Sequence, residues 1–202
     1  MATCKVAVLV PSGGMWEAGF GYDLAQMMTW TASSREVDLY LSNARGSILV
    51  SNRHDLVEAG QKCESDFFLW LDDDMRFPKD TIFRLLERGK EVVAVNYRNR
   101  TRNEKTVTWD DNGPVYTTEE STGLQSVSHA GMGIMMTHKS VFEAMEAPYF
   151  MFGWSPQGQN FVGEDVLFCR RVLDAGIEIF IDHDLSKEVR HIGAKEIAHD
   201  GQ

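Results

Sequence analysis

The sequence predicts an α/β protein on a mostly parallel, doubly wound sheet, and three observations predict it. Short apolar runs without alternation, Lys5 to Val10, Phe67 to Leu71 and Val92 to Asn96, read as strands buried on both faces. Stretches with apolar residues at helical spacing separate them. Polar or acidic clusters follow the runs directly, at the carboxyl ends where such sheets put their ligands. The chain has 202 residues, 43% of them hydrophobic, enough for one well-filled core, so a single domain over 1–202 is expected.

In order, Lys5 to Val10 opens into Pro11-Ser12-Gly13-Gly14, a turn where backbone amides could approach a phosphate. It has neither the GxGxxG spacing nor a GK[ST] ending, so it is neither a dinucleotide fingerprint nor a P-loop. From Ala18 to Ser33, Phe20, Leu24, Met27, Met28 and Trp30 recur at helical spacing, and Asp38 to Leu41 alternates as a strand. Ser51 is expected to cap a helix reaching Cys63, with Leu56, Val57 and Ala59 facing inward. Asn52 and Arg53 then fall in its first turn. A cation there opposes the helix dipole, so Arg53 reads either as a surface residue or as a contact to an anion.

The strand Phe67 to Leu71 stops at Asp72-Asp73-Asp74, and Pro78 is expected at the first position of a helix ending before Gly89. Three adjacent carboxylates at the end of a buried element repel one another and resist desolvation. They mark a solvated turn or a cation site. Arg98 to Ser121 breaks the βα rhythm, and the Asn112-Gly113 pair suggests a hairpin or mobile insertion. Strand character resumes at Leu124 to Val127 and Met132 to Thr137, around Gly131 and Gly133, and Lys139 to Met145 is a short helix.

Pro148 to Gly163 carries Tyr149, Phe150, Phe152, Trp154 and Phe161 among glycines, either a hydrophobic cluster pinning a loop or an acceptor-binding surface. Glu164-Asp165 opens an amphipathic helix ending at Ala175-Gly176; Ile177 to Ile181 is a last strand, followed by Asp182-His183-Asp184 and His191-Ile192-Gly193.

The net charge of -10 argues against a dominant nonspecific grip on nucleic acid or anionic membrane, although Arg98, Arg100, Arg102 and Lys105 form a local basic patch that leaves nucleic-acid contact open. Cys4, Cys63 and Cys169 are widely spaced with no CxxC pair, which suggests reduced thiols and a cytoplasmic location. The apolar run near the N-terminus, Val6 to Val10, is too short for a signal h-region or a membrane span, so no membrane partner is expected. No serine elbow, HExxH helix or recognisable Cys-His pairing supports acyl transfer or zinc hydrolysis.

What remains is a carboxylate cluster after one strand, a second acidic pair far along the chain, and a late histidine. This ordered set resembles a nucleotide-sugar glycosyltransferase of the GT-A fold, close to the family 2 pattern. The resemblance runs from Val6 to Gly193. It is carried by the strand ending in Pro11, by Ser51-Asn52-Arg53, by Phe67 to Met75 as the DxD segment, by Gly163-Glu164-Asp165-Val166, and by Asp182 to Asp184 with His191-Ile192-Gly193.

The resemblance implies a Rossmann-like three-layer sandwich with a mostly parallel central sheet and a small antiparallel part on the acceptor side. It implies a nucleotide-sugar-binding half over 1–97, an acceptor and catalytic half over 98–193, and a tail over 194–202. The donor would be a UDP- or GDP-sugar, its diphosphate held by Mn²⁺ or Mg²⁺, because a hard cation with oxygen ligands stabilises the charge that gathers on the leaving group. Asp74 would contact the metal directly, Asp72 the ribose or the metal, and His191 would complete the metal shell. Pro11, Ser12, Arg53 and Asp73 would approach the nucleotide.

Asp165 matches the general base of inverting relatives, taking a proton from the acceptor hydroxyl, or, if configuration is retained, would orient acceptor or donor instead, and Glu164 could hold the acceptor. The chain departs from larger family members in lacking membrane segments and an extended C-terminal acceptor region. It resembles compact soluble phage and prokaryotic versions, whose hydroxyl acceptor can be a small molecule, a protein or a modified nucleobase. The rivals are a sugar-nucleotide nucleotidyltransferase, for which a GxGTRxxP-type stretch is missing, and a non-catalytic nucleotide-sugar binder.

Overall fold

The computed structural model describes residues 4–99 and 105–193. Seven strands form the central sheet: β1 (Cys4–Ser12), β2 (Val37–Arg45), β3 (Phe67–Leu71), β5 (Val92–Ala94), β8 (Leu124–Val127), β9 (Ile134–His138) and β12 (Ile179–Asp182). Their order is β2-β1-β3-β9-β5-β12-β8. β1 pairs in parallel with β2 and β3, and β12 with β5, whereas β9 runs antiparallel between β3 and β5, and β8 antiparallel on the edge. Five strands therefore share one direction, the mostly parallel sheet that was expected. The inversion of β9 was not expected. It seats β9 between two parallel groups, so Trp70 and Met135 become partners in the middle of the sheet.

Helices cover both faces, as the non-alternating strands require. On one face Ala7, Leu9, Phe68, Trp70, Ala94, Met135 and Ile181 pack with α2 (Leu49–Lys62), α4 (Ser140–Glu143) and α5 (Glu164–Asp174) through residues such as Leu56, Phe142 and Phe168. On the other, Val6, Val8, Val10, Leu69, Leu71, Val93 and Met136 pack with α1 (Ala18–Ser34), α3 (Thr81–Glu87) and α6 (His183–Ser186) through Phe20, Leu24, Ile82 and Leu185. Successive residues of β1 and β3 thus feed opposite cores. Each such valine, leucine, isoleucine, phenylalanine or methionine, fully buried, contributes roughly 1.5–3 kcal/mol. The one polar atom of Trp70 is satisfied where it lies: Nε1–H donates to Thr137 Oγ1 at 3.2 Å.

Several boundaries differ from expectation. α2 begins at Leu49, two residues before Ser51, and no side chain caps it. Asn52 holds that turn instead, its amide donating to the carbonyls of Gly46 (2.9 Å) and Ser12 (3.3 Å). α3 begins at Thr81 rather than at Pro78, whose carbonyl accepts from Thr81 Oγ1 at 2.7 Å. The last sheet strand starts at Ile179 rather than Ile177. The Asn112-Gly113 hairpin is present as two short strands, β6 (Trp109–Asp110) and β7 (Gly113–Pro114), with Gly113 at φ +131°. The aromatic stretch, read as a loop, contains an antiparallel hairpin of β10 (Gly153–Ser155) and β11 (Asn160–Val162). A further pair, β4 (Met75–Arg76) with β13 (Arg190–His191), brings the end of the described chain onto the acidic segment. Among the described residues no helix is long and apolar enough to cross a membrane.

Candidate functional site

Arg53 organises one corner. Its side chain is 3% exposed and reaches from α2 to both acidic motifs: NH1 donates to Glu164 Oε1 at 2.8 Å and NH2 to Asp72 Oδ1 at 3.1 Å. The guanidinium carbon lies 6.0 Å from the Phe150 ring centroid, and Phe150 stacks on Phe168 at 4.9 Å, so one side of the cation is walled by aromatic carbon. Burial alone would lower the guanidinium pKa; Asp72, Glu164 and Asp165 outweigh it and hold the group above its ordinary value. Burial likewise pushes the Glu164 carboxyl up, with Arg53 opposing and Asp165 adding to the rise. Arg53 is therefore not the surface arginine that one reading of its position allowed. It is a fixed cation between two carboxylates from distant parts of the chain.

The second corner joins Asp74 and His191. β13 pairs with β4 so that His191 stands across from Met75, and Ile192 N–H donates to the Asp74 carbonyl at 2.8 Å. His191 Nε2 then lies 3.3 Å from Asp74 Oδ1, with the side chains 15% and 10% exposed. The other ring nitrogen, Nδ1, is 3.0 Å from the Arg98 carbonyl. A carbonyl only accepts, so Nδ1 carries the proton in that contact. In a neutral ring Nε2 is then an acceptor, and it faces a carboxylate. An imidazolium satisfies that arrangement, and so does a cation seated between the nitrogen and the oxygen.

A histidine that donates its far N–H to a backbone carbonyl is how metal-ligating imidazoles are oriented. Two ligands at the edge of an octahedral site with bonds of about 2.1 Å stand about 3 Å apart, close to the observed separation. The spacing of this nitrogen and oxygen thus fits two adjacent positions on a divalent ion. Among the described residues no group of three or more His, Cys, Asp or Glu gathers to hold a metal alone. Asp72, expected beside Asp74, directs a carboxylate oxygen to Arg53 instead.

Tyr97, which sequence reasoning passed over, lies between the corners. Its ring meets the His191 ring edge-on at 5.3 Å, and its hydroxyl accepts from Gly133 N–H at 2.9 Å. Burial, with the Asp72 charge adding to it, raises the phenol pKa, so the group stays neutral. Gly131 and Gly133 are explained by it: a Cβ at either position would stand 2.6 Å from the Tyr97 hydroxyl. The available signal was a polar Asn96-Tyr97 pair ending a buried strand, the same pattern that drew attention to Asp72.

The Asp73 carbonyl accepts from Glu17 N–H at 3.1 Å, tying the acidic turn to the segment before α1. Arg76 closes the other side, gripping Asp23 of α1 with Nε (2.5 Å) and NH2 (3.0 Å). At the end of β1, Pro11 and Ser12 are buried, and Ser12 Oγ accepts from Gly14 N–H at 3.1 Å, so that amide is committed within the turn.

α5 starts with Gly163 as its N-cap and Glu164-Asp165 in its first turn, where carboxylates suit the dipole. Asp165 Oδ1 accepts from Val166 N–H at 2.8 Å and would lie 2.7 Å from a Cβ on Gly163, so the carboxylate folds back over the cap. His129, stacked on Trp109 at 6.1 Å, has its pKa lowered by burial while the Asp165 charge acts upward.

Asp182 and Asp184 do not join this site. Asp182 is fully buried, accepts from Arg88 Nε at 2.8 Å and caps α6 through Leu185 N–H; Asp184 accepts from Arg88 and from Gly123 N–H. His183 bonds Thr117 and Gln125, both at 2.9 Å. Of the basic patch, Arg98 and Lys105 are exposed, and Arg100 and Arg102 lie outside the described residues.

No family model matches the sequence, and no curated protein matches it. Solved structures do. A197 from STIV superposes with a TM-score of 0.58 at 13% identity, over 96% of this chain and 97% of that one. A Drosophila β-1,4-galactosyltransferase 7 mutant, crystallised with manganese, UDP-Gal and xylobiose, gives a TM-score of 0.54 at 14% identity over 98% of this chain and 77% of that one. A UDP-glucose pyrophosphorylase complexed with UDP-glucose gives 0.50 at 8% identity over 95% and 92%. The chain has the GT-A fold that the sequence led us to expect.

Proposed function

We propose that this protein is a metal-dependent glycosyltransferase that moves a sugar from a UDP- or GDP-sugar to a hydroxyl acceptor. The observation that carries the reading is the convergence of the two acidic motifs on Arg53, with the Asp74–His191 pair on the same acidic segment. Two carboxylates around one cation occur in the scaffold too, at Arg88. What marks this corner is that the acidic segment it holds also carries the Asp74–His191 pair, a grouping suited to a metal-held diphosphate. Neighbours in fold were crystallised with UDP-sugars, one of them with manganese, which supports the same reading.

In this assignment residues 1–97 bind the donor and 98–193 supply the acceptor side. Asp74 and His191 would hold Mn²⁺ or Mg²⁺, which when bound would offset the negative charge gathering on the leaving nucleoside diphosphate. Asp72, fixed by Arg53, meets the ribose, and Asp73 with the Pro11-Ser12 end of β1 lines the nucleotide. Asp165 takes the proton of the acceptor hydroxyl as its oxygen bonds to the anomeric carbon; the anomeric C–O bond breaks and its electron pair leaves with the diphosphate. Glu164, protonated more readily than an ordinary glutamate, orients the acceptor. Sugars of hexosyl and pentosyl type fit this chemistry equally, and the donor panel below distinguishes them.

The test is donor turnover over a panel of UDP- and GDP-sugars with Mn²⁺, with Mg²⁺ and with chelator, for wild type and Asp165→Asn. We expect metal-dependent turnover that falls roughly 10²–10⁴-fold in D165N while donor binding persists. Metal-independent binding without turnover would establish a non-catalytic binder, and formation of nucleotide-sugar from sugar phosphate and nucleoside triphosphate would establish a nucleotidyltransferase.

A further inference from the structure

The stretch 148–163 contains no charged residue, in a chain that is 25% charged and carries a net -10. Within it the β10–β11 hairpin pairs Trp154 with Phe161 across the strands. Their rings meet edge to face at 5.2 Å, yet they remain 55% and 77% exposed. Burying them would contribute roughly 1.5–3 kcal/mol each, a stabilisation that the fold forgoes by presenting the two as one exposed pair. The hairpin is nonetheless seated against α5. Gly153 lies against Leu167 of α5, where a Cβ would come within 2.8 Å of Cδ1, and the turn is closed by Gly158 N–H donating to Ser155 Oγ at 3.1 Å. One residue, Gly163, separates β11 from Glu164-Asp165, and the Asp165 carboxylate folds back over that glycine. Gln157, Gln159 and Asn160 are exposed on the same hairpin.

We propose that this hairpin is the acceptor platform and that the acceptor is a neutral saccharide, an inference that rests on the glycosyl transfer proposed above. A pyranose presents an apolar face of C–H groups, which suits an exposed aromatic ring, and a rim of hydroxyls that both donate and accept, which suits carboxamides. Neither feature needs a charge. A nucleic acid or a phosphorylated acceptor would call for cations, and the stretch beside Asp165 supplies none. Asp165 at the foot of the platform receives the proton of the hydroxyl that attacks.

The test measures wild type, Trp154→Ala, Trp154→Phe and Phe161→Ala with Mn²⁺ and the donor that turns over. The acceptor arms are neutral di- and trisaccharides of gluco, galacto and xylo configuration, a hydroxymethylpyrimidine oligonucleotide, and a Ser/Thr peptide. We expect a saccharide to accelerate donor consumption, and W154A and F161A to raise its KM about tenfold or more with kcat at saturation retained, W154F falling between. Unchanged saccharide KM in W154A and F161A, or acceleration by the oligonucleotide or peptide instead, overturns the proposal. If no donor turns over in any arm, glycosyl transfer itself fails. Saccharide titration followed by tryptophan fluorescence then decides the platform separately: binding that W154A and F161A weaken upholds it, and no binding rejects it.

Discussion

Two acidic triplets stand at the carboxyl ends of sheet strands, Asp72-Asp73-Asp74 after β3 and Asp182-His183-Asp184 after β12, and they are put to opposite uses. The second is consumed by the scaffold. Arg88, at the end of α3, bonds both aspartates, and the backbone N–H groups of Leu185 and Gly123 add one bond each, to Asp182 and to Asp184. The first is turned toward groups that are themselves suited to a ligand: Asp72 toward a cation shared with Glu164, and Asp74 toward an imidazole whose far nitrogen is held by a carbonyl. A carboxylate cluster is thus not a site by its composition. Its partners decide, and partners are set by tertiary packing.

Removing the shared cation breaks the comparison at its strongest point. Arg53→Met leaves Glu164 and Asp72 facing each other without compensation in a largely buried corner, and breaking a buried pair in this way costs roughly 3–5 kcal/mol. Urea unfolding monitored by circular dichroism should show that loss. Arg53→Lys should recover little of it, because a single ammonium cannot serve two carboxylates as the planar fork does. An R53M protein as stable as wild type would mean that the corner is not a coupled unit.

Asp182→Ala and Asp74→Ala test the contrast itself. The first removes an N-cap and the partner of Arg88 at a position with no exposure, and should cost about 2–4 kcal/mol of stability while leaving metal-dependent donor affinity intact. The second should leave the circular-dichroism spectrum of the folded protein unchanged and weaken metal affinity, measured by calorimetry with MnCl₂ in the presence of nucleoside diphosphate, by at least about 10–100-fold. If the two variants exchanged phenotypes, the roles assigned to the triplets would be reversed.

The legible part of this molecule was what local pattern encodes. Val6 to Val10 and Phe67 to Leu71 announce buried strands, the anomaly of a cation early in α2 marks Arg53, and the late His191 follows from the resemblance. Strand order is not written in periodicity, so the antiparallel β9 was invisible although its residues were identified as a strand. Tyr97 was missed because its importance lies in partners elsewhere: Gly133 in the loop before β9 and His191 at the end of the described chain. The glycines at 131 and 133 were noticed for permitting close approach, but the ring that approaches could not be named from the sequence. For the same reason the sequence assigns Asp182 and Asp184 no role beyond the resemblance, and the partner that holds them, Arg88, lies far off in sequence.

The smallest expected effect separates the two regions by the sign of their response to pH. Burial raises the Glu164 carboxyl above its ordinary value of 4.5 despite Arg53, so the folded state binds a proton more tightly than the unfolded chain there. That contribution is fully present below pH 4.5 and is lost as pH climbs through the raised folded value. Asp184 is the reverse case: the Gly123 N–H, followed by Arg88, holds it below its ordinary value of 3.8, so its contribution is present above pH 3.8 and is lost as pH falls through the lowered value. Stability measured in denaturant from pH 3 to 8 for wild type, Glu164→Gln and Asp184→Asn should therefore diverge in opposite directions. The difference between E164Q and wild type should change on the alkaline side of 4.5, and that between D184N and wild type only on the acid side of 3.8. Two variants with parallel pH profiles would show that burial at Glu164 does not outweigh its ion pair, and the corner around Arg53 would then be electrostatically ordinary, as the Arg88 corner is.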